Sequence, residues 1–403
     1  MKNSKFFYFS FTLFSIFYLL TSSRIAIPGI TVLRWIGSIC LLACSFVSQK
    51  NRSSWVVRIP SGYSFIILAL FPTFLGLGGE GTIYAYQRII SLFLVLFGLE
   101  FFFQSNGLDI RGKVNCVQIF TVVANLLMIY SIIFPNYANG RMTGAYQNAN
   151  FLSCIAAYAL ASSMGFFLYN TNRLIKIVYS VFAVVDLICI AQSGSRIGLV
   201  IAAIAMIYFV FMSRNRMNLN AVLKILAGCI LLIFVYKYVV THFNLVALER
   251  FELFAQDGSG LTRGNTWEDV FKIFSAKPLL GWGYAQVGYN VFVNYNSTYH
   301  WGMHSSFFVI LCEMGIIGSA LFIFYFISYF KRIIWGIKNC RNLYNNSYLY
   351  ILRGMLLSSV LLLLNGYAEA FLFSVGNPMS VCFWLPFIFA HSITSSIYFC
   401  KER

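Results

Sequence analysis

The sequence predicts an all-α polytopic membrane protein, and three observations carry that prediction. Hydrophobic residues make up 59% of the 403 positions and charged residues 10%. A soluble domain carries about 25% charged residues, so this chain has too few polar side chains to cover a globule in water. The apolar residues gather in runs close to the roughly 20 residues that a helix needs to cross a bilayer. The basic residues collect in alternate gaps between those runs, as membrane orientation requires. Residues 1–403 therefore read as one integral membrane domain with about 12 membrane-spanning helices.

The first apolar run, 6–22, is followed by Arg24 and by another apolar run, so it reads as a span and not as a cleaved leader. Further spans follow at 28–48, 62–79, 88–103, 114–134, 150–169, 177–193, 197–212, 221–240, 305–330, 347–366 and 373–398. The second, fourth and seventh contain Arg34, Glu100 and Asp186, and a break at Ser193–Arg196 separates the seventh from the eighth. The ten cysteines are scattered through apolar runs. With no CxxC and no Cys/His cluster, they suggest neither a disulfide framework nor a metal site.

Charge fixes the orientation. With Lys2 and Lys5 in the cytoplasm, the inner loops receive Lys50, Arg52 and Arg58, then Arg111 and Lys113, then Arg173 and Lys176. Further on they receive Arg214 and Arg216, then Lys331, Arg332, Lys338 and Arg341, with Lys401 and Arg403 at the C-terminus. Every inner loop is basic and both termini lie inside. The net charge of +17 is then a consequence of topology and requires no nucleic acid.

Basic residues left on the outer side need another explanation. Arg141 lies in the outer stretch "GRMTGAYQNANFLS", Arg196 in the tight turn "SGSRIG", and Arg263 opens "TRGNTWEDVFKIFSAKPLLGWGY". A guanidinium offers a planar fork of donors that matches phosphate oxygens and stays charged. Arginines at one membrane mouth therefore suit an anionic, diphosphate-bearing lipid, although any one of them could simply reach lipid headgroups. Arg34, Arg88 and Arg353 read as structural, because nothing in the sequence converges on them.

The long outer loop, 241–303 between spans nine and ten, has its own order. Trp267, Val270, Phe271 and Phe274 fall on one helical face, predicting a short amphipathic helix on the membrane surface or over a cavity. Pro278 ends it. The following "LLGWGYAQVGYNVFVNYNSTYHWG" is rich in aromatic and amide groups, which stack on sugars and bond their hydroxyls but also suit a membrane interface. Trp267, Tyr284 and Tyr299 are the sugar-contact candidates.

His304 stands where this loop ends and a span begins. The positive end of the helix dipole, reinforced by nearby arginines, favours neutral imidazole, the form able to accept a proton from a hydroxyl. His242, His300 and His391 read as histidines that only cap or hydrogen-bond.

The stretch "HSSFFVILCEMGIIG" has a histidine, a small polar residue, nine variable residues and Gly-x-x-Gly. It resembles the O-antigen ligase and O-antigen polymerase superfamily of bacterial inner membranes. "QSGSRIGL", Arg263 through "KPLLGWG", and "RMTGAYQNANFLS" resemble the same superfamily, so the likeness spans about Arg141 to Gly318. It implies a fold resembling the glycosyltransferase C superfamily, with a large periplasmic loop over the helices. It also implies a metal-independent, cofactor-free glycosyltransferase acting on undecaprenyl-diphosphate-linked oligosaccharide at the periplasmic face of the inner membrane.

Carried onto this chain, the resemblance makes Arg196 and Arg263 the diphosphate ligands and His304 the group that activates or positions the acceptor hydroxyl. Arg141, Asn148 and Asn150 become donor or sugar contacts. Membrane lipids and a chain-length-determining co-polymerase join the lipid-linked glycan as candidate partners. "RMTGAYQNANFL" and the Arg263 segment look more like polymerase than ligase sequences. Against that, Leu152 and Phe274 stand where paired Arg-x10-Gly loops would place glycines, and the histidine pattern is the one associated with ligases. A ligase passing the polymer to lipid A–core stays open, as does a flippase for the same lipid-linked unit. A transporter should show internal repeats and deep ionisable residues. No convincing repeat is present.

Overall fold

The apolar runs that are described fold as helices. The computed structural model describes residues 2–25, 27–49, 66–67, 70, 73, 82–105, 108–212, 264–287, 305–343, 346–374 and 376–401. Along them run α1 (Lys2–Leu20), α2 (Ile30–Gln49), α3 (Thr82–Gln104), α4 (Ile110–Ile133), α5 (Ala149–Tyr169), α6 (Arg173–Gln192), α7 (Arg196–Met212), α8 (Gly264–Ala276), α9 (Ser306–Leu343), α10 (Asn346–Asn365) and α11 (Pro378–Lys401). Among the described residues seven helices are long and apolar enough to cross a membrane, and three shorter apolar helices accompany them. The expected ninth span, 221–240, lies outside the described residues, as does the third, 62–79, apart from Ile66, Ile67, Leu70 and Thr73.

Helix α5 occupies the centre and packs against α4, α6, α7, α10 and α11. Its sequence explains the position, because small residues surround it on every side and Ala156, Ala157, Ala159 and Ala161 are all fully buried. Where it crosses α10, Gly165 and Gly354 face each other. A Cβ on Gly354 would stand 3.0 Å from the Gly165 Cα. Lipid is as apolar as a leucine face, so close backbone approach of this kind is what holds membrane helices together.

One end of the helix bundle carries a polar clamp. The Arg332 guanidinium donates to His391 Nε2 at 2.7 Å, which leaves Nδ1–H to donate to Glu100 Oε1 at 3.2 Å. Gln104 also donates to Glu100 at 2.8 Å, and Lys113 Nζ donates to Ser392 Oγ at 3.0 Å. These bonds tie α3, α4, α9 and α11 together. His391 thus makes the hydrogen bonds expected of it, and Glu100 is held within the protein, as an acid at membrane depth must be.

At the opposite end α9 is broken. Gly315 has φ 64 and ψ −170 inside that helix, and residues 278–283 fill the gap. Trp282 N donates to Cys312 O at 3.0 Å and Gly283 N to Glu313 O at 2.8 Å. In return Ile316 N donates to Pro278 O at 2.9 Å and Ile317 N to Leu279 O at 3.2 Å. A Cβ on Gly281 would stand 2.4 Å from Glu313 O, and one on Gly315 would stand 2.3 Å from Leu279 O. "LLGWG" and "CEMGIIG" therefore need their glycines for one shared backbone crossing.

Helix α8 docks beside this crossing. Val270 and Ile273 are buried against Val287 and Cys312, with Phe274, Trp282, Phe308 and Val309 packed around them. The expected apolar face included Phe271, which is instead 69% exposed. The buried stripe is rotated toward Ile273 because the partner is α9 and its crossing strand. Gly315→Ala would force alanine into a backbone conformation that essentially only glycine adopts, costing roughly 1–3 kcal/mol before any clash. We expect it to lower the melting temperature in detergent, whereas Gly98→Ala, whose Cβ meets nothing closer than 3.5 Å, should not.

Candidate functional site

The loops that charge bias assigns to the outer side meet one another in the structure. Gln147 N donates to Ser22 O and Arg24 N to Ala145 O, and Arg24 Nε donates to Tyr146 O at 3.1 Å. Backbone groups near lipid must be satisfied within the protein, and here neighbouring loops satisfy each other.

Arg141 is placed by a local device. Asn139 and Gly140, both at positive φ, form a two-residue Asn-Gly turn of the kind that suits a tight hairpin. The turn joins β1 (Tyr137–Ala138) to β2 (Arg141–Met142), with Ala138 opposite Arg141. From there Arg141 Nε donates to Ser193 O at 2.8 Å, and an Nη donor reaches Asn150 Oδ1. Ser193 belongs to the break between α6 and α7, where Gly194 turns the chain at φ +63 and a Cβ would meet the Arg141 side chain at 3.0 Å. Arg196 follows at the first position of α7 and is half-buried. The structure thus brings Arg141, Asn150 and the turn that carries Arg196 into one group.

Sequence reasoning missed the fourth member. Asn150 Nδ2 donates to Glu369 Oε1, so Asn150 bridges the guanidinium and a buried carboxylate. Glu369 lies in the loop between α10 and α11. Its backbone carbonyl accepts from Ser306 Oγ at 2.6 Å, and Ser306 Oγ accepts in turn from Phe371 N and Leu372 N at 2.9 and 3.2 Å. Ser306 N donates to Gly366 O at 2.7 Å. The first residue of α9 is therefore pinned to the loop that holds Glu369. The acid stands alone in "GYAEAFLFSVGNP", where no periodicity or motif singles it out.

The other candidates divide cleanly. Asn148 is exposed and caps α5, its Oδ1 accepting from Asn150 N at 2.8 Å. Tyr284 is buried, with its hydroxyl donating to Phe373 O at 2.6 Å, so it braces the loop that also carries Glu369. Trp267 lies in α8, and its side chain is outside the described part. His304, Arg263 and Tyr299 lie outside the described residues, although Ser305 and Ser306 directly follow His304 in sequence.

Fold and site define a class first: a multi-pass membrane protein in which an arginine, an amide and a buried carboxylate are joined where loops converge. Residues 181–323 match the family model described as O-antigen ligase, and this match supports the O-antigen ligase and polymerase superfamily. No curated protein matches the chain. The matched stretch runs from α6 through the Arg196 turn to the Gly315 break and just beyond Gly318. That family implies a membrane glycosyltransferase-like enzyme of lipopolysaccharide biosynthesis handling lipid-linked saccharides.

Asn150→Ala would remove the bridge between the Arg141 guanidinium and the buried Glu369 carboxylate. A hydrogen bond to a charged group is worth roughly 1.5–3 kcal/mol, so glycan transfer should fall at least about tenfold. Asn148→Ala removes the cap of α5, worth about 1 kcal/mol of helix stability, and should cost less transfer than Asn150→Ala in the same membranes.

Proposed function

We propose that this protein is an O-antigen polymerase, joining undecaprenyl-diphosphate-linked repeat units at the periplasmic face of the inner membrane. The Arg141–Asn150–Glu369 chain carries the reading, because it holds the Arg196 turn against the loop that pins the start of α9.

In this reading the acceptor hydroxyl attacks the anomeric carbon of the donor and gives its proton to His304. The new glycosidic C–O bond forms as the bond from anomeric carbon to phosphate oxygen breaks, and undecaprenyl diphosphate leaves with inverted configuration at the carbon. Arg196 and Arg263 offset the charge that develops on the departing diphosphate, which is where a fixed electrostatic site gains most. Arg141 holds the turn in place. Glu369 keeps Arg141 and Asn150 aligned. Trp267 and Tyr299 contact sugar, a chain-length-determining co-polymerase is a further partner, and the chemistry uses no metal or cofactor. The ligase reading differs only in its acceptor, a sugar of lipid A–core.

A lipopolysaccharide gel of cells lacking this gene separates the readings. A core carrying a single repeat unit, with the ladder gone, is expected. Bare core with polymer accumulating on the lipid carrier would make the protein a ligase, and bare core without periplasmic polymer would make it a flippase. His304→Ala should abolish transfer yet retain bound lipid-linked substrate. Arg263→Lys keeps the charge but loses the fork, so it should weaken donor use, and wild-type kinetics in that variant would count against a bidentate clamp.

A further inference from the structure

The backbone crossing at the Gly315 break stands at membrane depth. Charge bias puts Lys331 and Arg332 of α9 at the inner face, and residues 316 to 331 rise about 22 Å along a helix. A bilayer core is roughly 30 Å thick, so Ile316 and Ile317 lie inside its outer half. Both side chains are exposed, as those on the lipid-facing side of a span are. Their amides donate to Pro278 O and Leu279 O, and this pairing carries the chain after α8 to the same depth.

Leu279 and Leu280 are 62% and 46% exposed beside those isoleucines, so the apolar surface of α9 continues onto this segment. Bare backbone cannot face hydrocarbon. Here α9 takes Pro278 O and Leu279 O, while Gly281 N donates to Lys277 O at 3.1 Å and Trp282 N to Cys312 O at 3.0 Å. The leucine side chains can therefore meet lipid while these backbone groups stay paired inside the protein. Where the segment begins, Lys277 is exposed and its ammonium lies 4.3 Å over the Trp282 ring. Trp282 is itself fixed, its Nε1 donating to Ile273 O at 2.8 Å. A lysine laid on a tryptophan at the end of an apolar stretch suits the headgroup boundary, with the stem among acyl chains and the charge among phosphates. Phe271 and Lys272 of α8 are exposed too, an aromatic ring beside a cation, as on an interfacial helix.

We propose that residues 277–280 form a re-entrant segment embedded in the outer leaflet, with phospholipid acyl chains against Leu279 and Leu280 and a lipid phosphate at Lys277. The stretch 241–303 is then not wholly a periplasmic loop, because it dips into the bilayer directly after α8. The occupant is phospholipid because the surface continues the lipid-facing side of α9 and carries its cation at the level where phosphates lie. Helix α8, which follows Arg263 in sequence, is thereby tied to the plane in which a lipid-linked diphosphate also lies. The inference holds for a polymerase and for a ligase alike.

Nitroxide labels on introduced cysteines, read in vesicles of phosphatidylethanolamine and phosphatidylglycerol, test the depth. A label at Leu279→Cys should be relaxed by oxygen and shielded from a water-soluble nickel chelate, like one at Ile323→Cys on the exposed side of α9. A label at Asn148→Cys, on an outer loop, should show the reverse. The wild type, whose described cysteines are buried or half-buried, supplies the background signal. A Leu279 label as open to nickel as the Asn148 one would overturn the proposal. A benzophenone amino acid at Leu280, activated in cell membranes, checks the occupant without purification. An adduct with the mass of a phospholipid is expected. An adduct only with another protein or only with lipid-linked glycan would overturn the proposal, as would no adduct where the same group at Ile323 gives one. Lys277→Gln should retain less phosphatidylglycerol than wild type in native mass spectrometry, and equal retention would remove the phosphate contact.

Discussion

A backbone group released at membrane depth must find its partner inside the protein, and that constraint shapes everything around the site. Helix α9 cannot break at Gly315 unless something takes its freed carbonyls and amides, and residues 278–283 do so on both sides of the break. The loop between α10 and α11 cannot turn near lipid with bare amides, so Ser306 Oγ caps Phe371 and Leu372 while donating to Glu369 O. Each solution couples segments far apart in sequence.

Charge follows the same logic. Arg141 is held by Ser193 O and Asn150, and Asn150 is held by Glu369. The carboxylate is buried and the guanidinium half-buried, so each would be costly alone. Joined through an amide, they fix the Arg196 turn relative to the first residue of α9. In a glycosyl transfer, donor clamp and acceptor base must share one geometry within fractions of an ångström. The 366–377 loop, which also reaches Arg34 and Arg88, is the natural place for that geometry to be set.

Much of this was legible in the sequence. The helices follow from apolar runs, and the distribution of Lys and Arg assigns residues 22–24 and 145–147 to one side, where they are found in contact. Arg141, Asn150 and the Arg196 break drew notice because cations and amides at an outer mouth need a reason. Glu369 gave no such signal, since one acid in a short loop has no period and no partner at fixed spacing. The convergence of Arg34 and Arg88 was hidden for the same reason: Gly376 and Ser374, which hold them, are nearly 300 residues or more away in sequence. The Gly315 break gave little signal too, because the apolar run continues through it with Glu313 as its single charged residue. The missing fact in each case is a contact between distant segments.

The central claim is that Arg141 and Glu369 act as one unit through Asn150. A double-mutant cycle of Arg141→Gln and Glu369→Gln, read as the rate of glycan transfer in isolated membranes, tests it most directly. Coupled residues fail to add by roughly 0.5–3 kcal/mol, so the double variant is expected to be no slower than the worse single one. Fully additive losses would mean that the two groups act independently, and the account of the site would be wrong.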